Sequence, residues 1–149
     1  MPIIGIGLTK ISAERKPIMP QKVNITNNVS LVSVDKHDLS FGASKQEGIK
    51  CNFEFVSNYE PEFAAIKMSG EIILMEDPKK VRIVVDMWKK DKTVPQDIMT
   101  QVLGAALSKC SIQSIILSQD LNLPSPVPLP KIDVKQEEGK DKKGKDYIG

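Results

Sequence analysis

Four stretches of alternating apolar and polar residues, then a short and a long helical pattern, predict an α+β domain. The expected architecture is a four-stranded antiparallel sheet followed by two helices, segregated along the chain rather than interleaved. Three observations carry it: a two-residue period through the first 75 residues, an Asp77-Pro78 helix start, and a charge-poor apolar run across residues 95–119.

The first strand is read from Ile4, Ile6 and Leu8 alternating with Gly5, Gly7 and Thr9. Its glycines leave one face bare for another backbone to approach. After the break at Lys16-Pro17-Ile18-Met19-Pro20, Val23, Ile25, Val29 and Leu31 share one parity while Val32 and Val34 take the other. A one-residue change of phase inside a strand predicts a bulge or bend, just after the polar pair Asn27-Asn28. Asp35 to Gly48 reads as a polar connection with a short strand at Leu39–Phe41. The third strand alternates Ile49, Cys51, Phe53 and Phe55 with Lys50, Asn52 and Glu54, and Asn58-Tyr59-Glu60-Pro61 reads as a turn. The fourth runs from about Phe63 to Met75, with Ala64, Ile66, Met68, Ile72 and Leu74 on one face and a bulge expected at Gly70. Phe63, Ile73 and Met75 make its other face partly apolar, unlike a solvated sheet face.

Asp77 followed by Pro78 is an N-cap with proline at the first helical position. Val81, Val84, Val85 and Trp88 give the first helix its stripe, ending at Lys89-Lys90. In the second helix, Pro95 to Gln119, apolar residues from Ile98 to Leu117 cover an arc of about 220° at 100° per residue, far more than one sheet contact uses. Burial on two sides, and hence a homo-oligomer formed through this helix, is the expectation.

Directly after that helix comes Leu121-Asn122-Leu123-Pro124-Ser125-Pro126-Val127-Pro128-Leu129-Pro130. Proline at alternate positions forbids a helix and a sheet ladder, so this run is an extended strap over its own domain or a stiff rod displayed to a partner. Its alternating apolar side chains and lack of charge favour the strap. Residues 1–132 are therefore read as one domain, and the lysine-, glutamate- and glycine-rich residues 133–149 as a disordered charged tail.

Composition excludes more than it selects. Charged residues make up 27%, hydrophobic ones 40% and aromatics 5%, and the net charge is only +2 with basic and acidic residues interleaved, so no stripe emerges to track nucleic-acid phosphates. No run approaches the roughly 20 apolar residues that cross a bilayer, and no export signal opens the chain; Cys51 and Cys110 then read as reduced, buried thiols of a cytoplasmic protein. A catalytic triad or metal centre needs clustered histidine, cysteine and carboxylates, and the single histidine, His37, sits in a polar stretch. Gly5-Ile6-Gly7 lacks the third glycine of a dinucleotide loop. Glu60, Glu62, Glu71, Glu76 and Asp77 read as solvated sheet rims, and Lys79, Lys80 and Arg82 as an unfavoured but tolerable helix start that could meet an anion. No catalytic residue, cofactor or metal ligand is assigned. The residues singled out for protein recognition are the adaptable or bulky apolar ones: Tyr59, Phe63, Met68, Ile73, Met75, Met87 and Trp88, with Leu123, Val127 and Leu129 of the proline run.

The order of elements, the strand ending at Gly70-Glu71-Ile72, the long helix entered through Val94-Pro95 and its exit through Leu121-Asn122-Leu123-Pro124 resemble the bacterial protein-export chaperone SecB. The segment Ile3–Ile11 and the terminal Leu-Pro run also resemble small uncharacterised archaeal proteins. The chaperone resemblance implies a non-enzymatic holdase for apolar segments of unfolded or preprotein chains. It also implies a tetramer built as a dimer of dimers, with the long helices meeting at one interface. A subunit devoted to one permanent protein partner is the alternative, and a small enzyme with a site shared between subunits comes third.

Overall fold

In the computed structural model, residues 3–41 and 44–128 are described. Strands β1 (Ile3–Arg15), β2 (Asn24–Phe41), β3 (Ser44–Glu60) and β4 (Ala64–Met75) form one antiparallel sheet in the order β1-β4-β3-β2, followed by α1 (Pro78–Asp91) and α2 (Gln96–Asp120). This is the α+β arrangement expected. Leu129 and the tail residues 133–149 lie outside the described residues.

Both helices pack on one face of the sheet, α1 over β2 and β3 and α2 over β2, β3 and β4. That inner face is built by the predicted parities. Ile49, Cys51, Phe53, Phe55 and Tyr59 of β3 pair with Leu74, Ile72, Gly70, Met68 and Ala64 of β4. Apart from half-buried Ala64, all of these are buried, and they meet Val81 and Val84 of α1 and Ile98, Val102 and Ala106 of α2 in a single core. The opposite face is polar across its middle, where Lys50 and Glu71 pair at 3.1 Å and Asn52 Nδ2 donates to Ser33 Oγ at 2.7 Å. Apart from Val56, Ala65 and the bulge residue Val32, its apolar content gathers at one end. There Leu39 lies over Gly48, and Ile73 and Met75 are half-buried opposite Lys50 and Gly48.

The phase change in β2 is a bulge: register shifts between Leu31 and Ser33, leaving Val32 half exposed and returning Val34 to the core. Three other expectations change. The bulge placed at Gly70 is in the neighbouring strand, where Thr9 of β1 is the extra residue and its Oγ1 donates to Ser69 O at 3.3 Å. Gly70 itself stays in register opposite Phe53, because the ring lies where a Cβ would go. The polar connection from Asp35 to Gly48 is the far end of a long β2–β3 hairpin, paired as far as Phe41 and Ser44. The turn after β3 is Pro61 to Phe63, later than expected, with Glu62 at φ 28° and Phe63 outside the strand.

Asp77 caps α1 as its type dictates, accepting from the backbone N–H of Lys79 and Lys80. Lys92 closes the helix in the left-handed region, donating its N–H to Trp88 O and placing its ammonium 5.5 Å from the Trp88 ring centre. No described helix is long and apolar enough to cross a membrane.

Candidate functional site

Two regions stand out, the outward side of α2 and the strap that follows it. Along α2 the buried residues fall every fourth position: Ile98, Val102, Ala106, Cys110, Ser114 and Ser118. This is an i+4 ridge, inclined to the helix axis, so the face turned to the sheet rotates along the helix. The composition does not rotate with it. In the second half serines face inward, Ser114 at 0% and Ser118 at 2% exposed, while Ile112 at 65% and Ile116 at 47% face out. Each serine hydroxyl donates to a carbonyl of its own helix, to Ser111 O at 2.9 Å and Ile115 O at 2.8 Å, so burial leaves neither unsatisfied. Leu107 is exposed too, and between Ile98 and Gln119 the only charged residue is Lys109. The wide apolar arc is thus half used inside the chain, and the rest is open.

The strap crosses the opposite end of the inner face, where one row of cross-strand partners runs Arg15, Ala64, Tyr59, Ile25 and the next runs Ala13, Ile66, Ser57, Asn27. Arg15 donates through Nη1 to Leu121 O at 3.0 Å and Asn122 O at 3.2 Å, and its guanidinium lies 5.0 Å from the Phe63 ring centre. Tyr59 Oη donates to Pro124 O at 2.6 Å, and Asn27 Nδ2 to Pro126 O at 2.7 Å. Ser57, fully buried, donates to Asn27 Oδ1 at 2.7 Å, which turns the amide so that its nitrogen meets the strap. Burial pushes the Tyr59 phenol up to about 12, keeping it a donor throughout the neutral range. Leu123 and Pro126 are buried beneath the strap and Val127 half-buried, so residues 121–128 are a strap and not a displayed rod.

The recognition candidates do not converge on one open surface. Tyr59, Phe63 and Met68 are core side chains, 1%, 2% and 1% exposed, and in this conformation they face their own chain. Ile73 and Met75 are on the outer face of the sheet, while Trp88 and Met87 are half-buried on α1. Leu123 and Val127 belong to the strap, and Leu129 lies outside the described residues. The reading from sequence did not single out Arg15, Asn27 or Ser57. The signal was present: Asn27 shares the parity of Ile25, Val29 and Leu31, and Ser57 that of Phe55 and Tyr59, so each is a polar residue on a core face.

Beside Arg15, a cleft of about 690 Å³ is lined by Glu14, Glu60, Glu62, Lys16 and Lys67 among others. Its charges are of mixed sign, and its lining includes neither histidine nor cysteine. No group of three or more potential metal ligands occurs among the described residues. The thiols of Cys51 and Cys110 are free and buried, pushed up by desolvation to about 12 and about 11, the reverse of an activated nucleophile.

No family model matches the chain, and no curated protein sequence matches it significantly. Among solved structures, the Rv1957 SecB-like chaperone of Mycobacterium tuberculosis, in complex with a ChAD peptide from the Rv1956 HigA1 antitoxin, superposes with a TM-score of 0.56. The match is 15% identical and covers 88% of this chain and 90% of that one. The likeness supports the resemblance to the chaperone fold; it lends no support to the resemblance to small archaeal proteins. At that identity it is one of fold: the chain has the architecture of a SecB-like chaperone, over nearly its whole length.

Proposed function

We propose that this protein is a non-enzymatic, chaperone-like binder of extended apolar polypeptide segments, working as a homo-oligomer in the cytoplasm. The observation that carries the reading is the second half of α2, with Ser114 and Ser118 inward and Ile112 and Ile116 outward on a nearly uncharged helix. A contiguous apolar helix face of this kind marks a contact surface. In this reading, pairing with α2 of a second copy covers part, within a SecB-like dimer of dimers. Apolar surface left over then holds unfolded or preprotein chains by contact alone. The bound peptide in the solved SecB-like relative supports polypeptide as the ligand class. Buried, unactivated thiols fit a reducing compartment.

Light scattering at about 20 µM protein tests the first half; a monomer refutes it. Aggregation of several unrelated unfolded proteins, followed by turbidity, tests the second. Suppression at near-stoichiometric protein is expected. Suppression of none, with stable co-purification of a single protein, establishes instead a subunit dedicated to one partner.

A further inference from the structure

The strap is held almost entirely by groups that read main chain. Its three anchoring donors, Arg15, Tyr59 and Asn27, all end on carbonyl oxygens of residues 121, 122, 124 and 126. The carbonyls of Pro124 and Pro126 are two residues apart, the spacing at which an extended chain returns an acceptor to the same side. Proline has no N–H, so a segment with prolines at 124, 126 and 128 offers its neighbours mainly acceptors, and the facing residues supply the donors. Side-chain selection is limited to apolar seats under Leu123 and Pro126. Donors preset by a buried partner, as Ser57 presets Asn27, suit any uncharged extended segment that carries carbonyls in this register.

The geometry points to this seat as a binding site for extended, uncharged, proline-tolerant polypeptide, with residues 121–128 as its built-in competitor. The inference rests on the proposed polypeptide-binding function and names where a client enters: it displaces the strap and takes over the hydrogen bonds of Arg15, Tyr59 and Asn27. Being tethered to α2, the strap competes at an effective concentration in the millimolar range, so the seat stays closed to weak or charged segments.

Two experiments on the full chain decide it. In the first, a fluorescein-labelled peptide with the sequence of residues 121–128 is titrated by anisotropy into wild type and Leu123→Ser. The variant, with its strap loosened, is expected to bind roughly tenfold more tightly or better. Adding Tyr59→Phe to that variant is expected to weaken the peptide several-fold. A folded Leu123→Ser protein that binds no better than wild type overturns the inference. In the second, Ser125→Cys is spin-labelled; the buried thiols of Cys51 and Cys110 stay unmodified. The label is expected to be immobile in the free protein and mobile with excess reduced, alkylated lactalbumin. Lactalbumin that binds while the label stays immobile overturns the displaced strap and leaves the proposed function standing. Lactalbumin that fails to bind removes the proposed function, and the peptide titration alone then decides the seat. Immobility lost on dilution to nanomolar protein places the strap on a second copy and overturns the competitor within one chain. Should Leu123→Ser not fold, the label decides.

Discussion

Gly70→Ala adds a single methyl at the most crowded point of the sheet. A Cβ there comes within 2.5 Å of Gly7 O on β1 and 2.6 Å of Phe53 Cζ, with Cε2 at 3.0 Å. Ordinary contacts begin near 3.5 Å, so both neighbours must retreat by about 1 Å. Neither can do so freely, since Phe53 is 1% exposed in the core and Gly7 is hydrogen-bonded backbone in the β1–β4 ladder. Overpacking of this kind costs about 1–3 kcal/mol, and two rigid obstacles put this site at the upper end. For a domain this size, about 3 kcal/mol lowers the melting temperature by about 6–12 °C. Gly5→Ala is the matched control, because a Cβ at Gly5 meets nothing within 4 Å; its melting point is expected to change by no more than about 2 °C. Calorimetry at one fixed protein concentration makes the comparison, because self-association shifts apparent stability. A Gly70→Ala protein that melts with wild type refutes the steric argument.

Replacing Ile112 and Ile116 together with glutamate is expected to lower the native mass while the circular dichroism of the subunit is retained, checked by native mass spectrometry. Tyr59→Phe removes the 2.6 Å bond to Pro124 O and is expected to cost about 1–2 kcal/mol in urea unfolding. Burial raises Cys51, Cys110 and Tyr59 in the folded state from ordinary values of 9.0, 9.0 and 10.0, so the unfolded chain releases these protons first. Their contribution is therefore whole below about pH 9 and drains away as pH rises towards about 12; urea midpoints across that range check it, and Tyr59→Phe is expected to flatten the upper part. A thiol reagent at pH 8 is expected to modify neither cysteine in the native protein and both in urea.

Where one side of an element is wet and the other dry, the chain announces its structure. That is why β3, the β2 bulge at Val32 and the Asp77 cap of α1 were legible from residue types alone. The outer arm of the β2–β3 hairpin was not. Beyond Gly48 no third strand pairs with it among the described residues, so polar residues fill most of both faces and only the short alternation at Leu39–Phe41 remains to read. The Lys36–Glu47 pair at 2.9 Å spans that arm, but sequence does not say which charges meet. Gly70 was ambiguous in a different way: glycine inside a strand marks either a bulge or a close approach, and the ring that decides comes from Phe53 on another strand. For α2, the width of the apolar arc was legible but the side given to the sheet was not. Reading apolar as buried misplaces Ile112 and Ile116 and overlooks Ser114 and Ser118. At the strap, proline spacing showed an extended chain, whereas its anchors Arg15, Asn27 and Tyr59 lie on three separate strands, and sequence distance hides them.

The two inward serines of α2 have a mechanical consequence. Because Ser114 and Ser118 spend their hydroxyls on their own helix, neither ties that helix to the strands below it. At those two positions nothing directional marks where α2 must sit, and sliding it there breaks only dispersion contacts, each of about 0.1–0.2 kcal/mol. The N-terminal half, keyed into the core by Ile98 and Val102, is a fixed pivot by comparison. A helix keyed into the core at its start and held just past its end by Arg15 can bow between those two points as its outer face meets different surfaces, without any hydrogen bond having to be broken first at either serine.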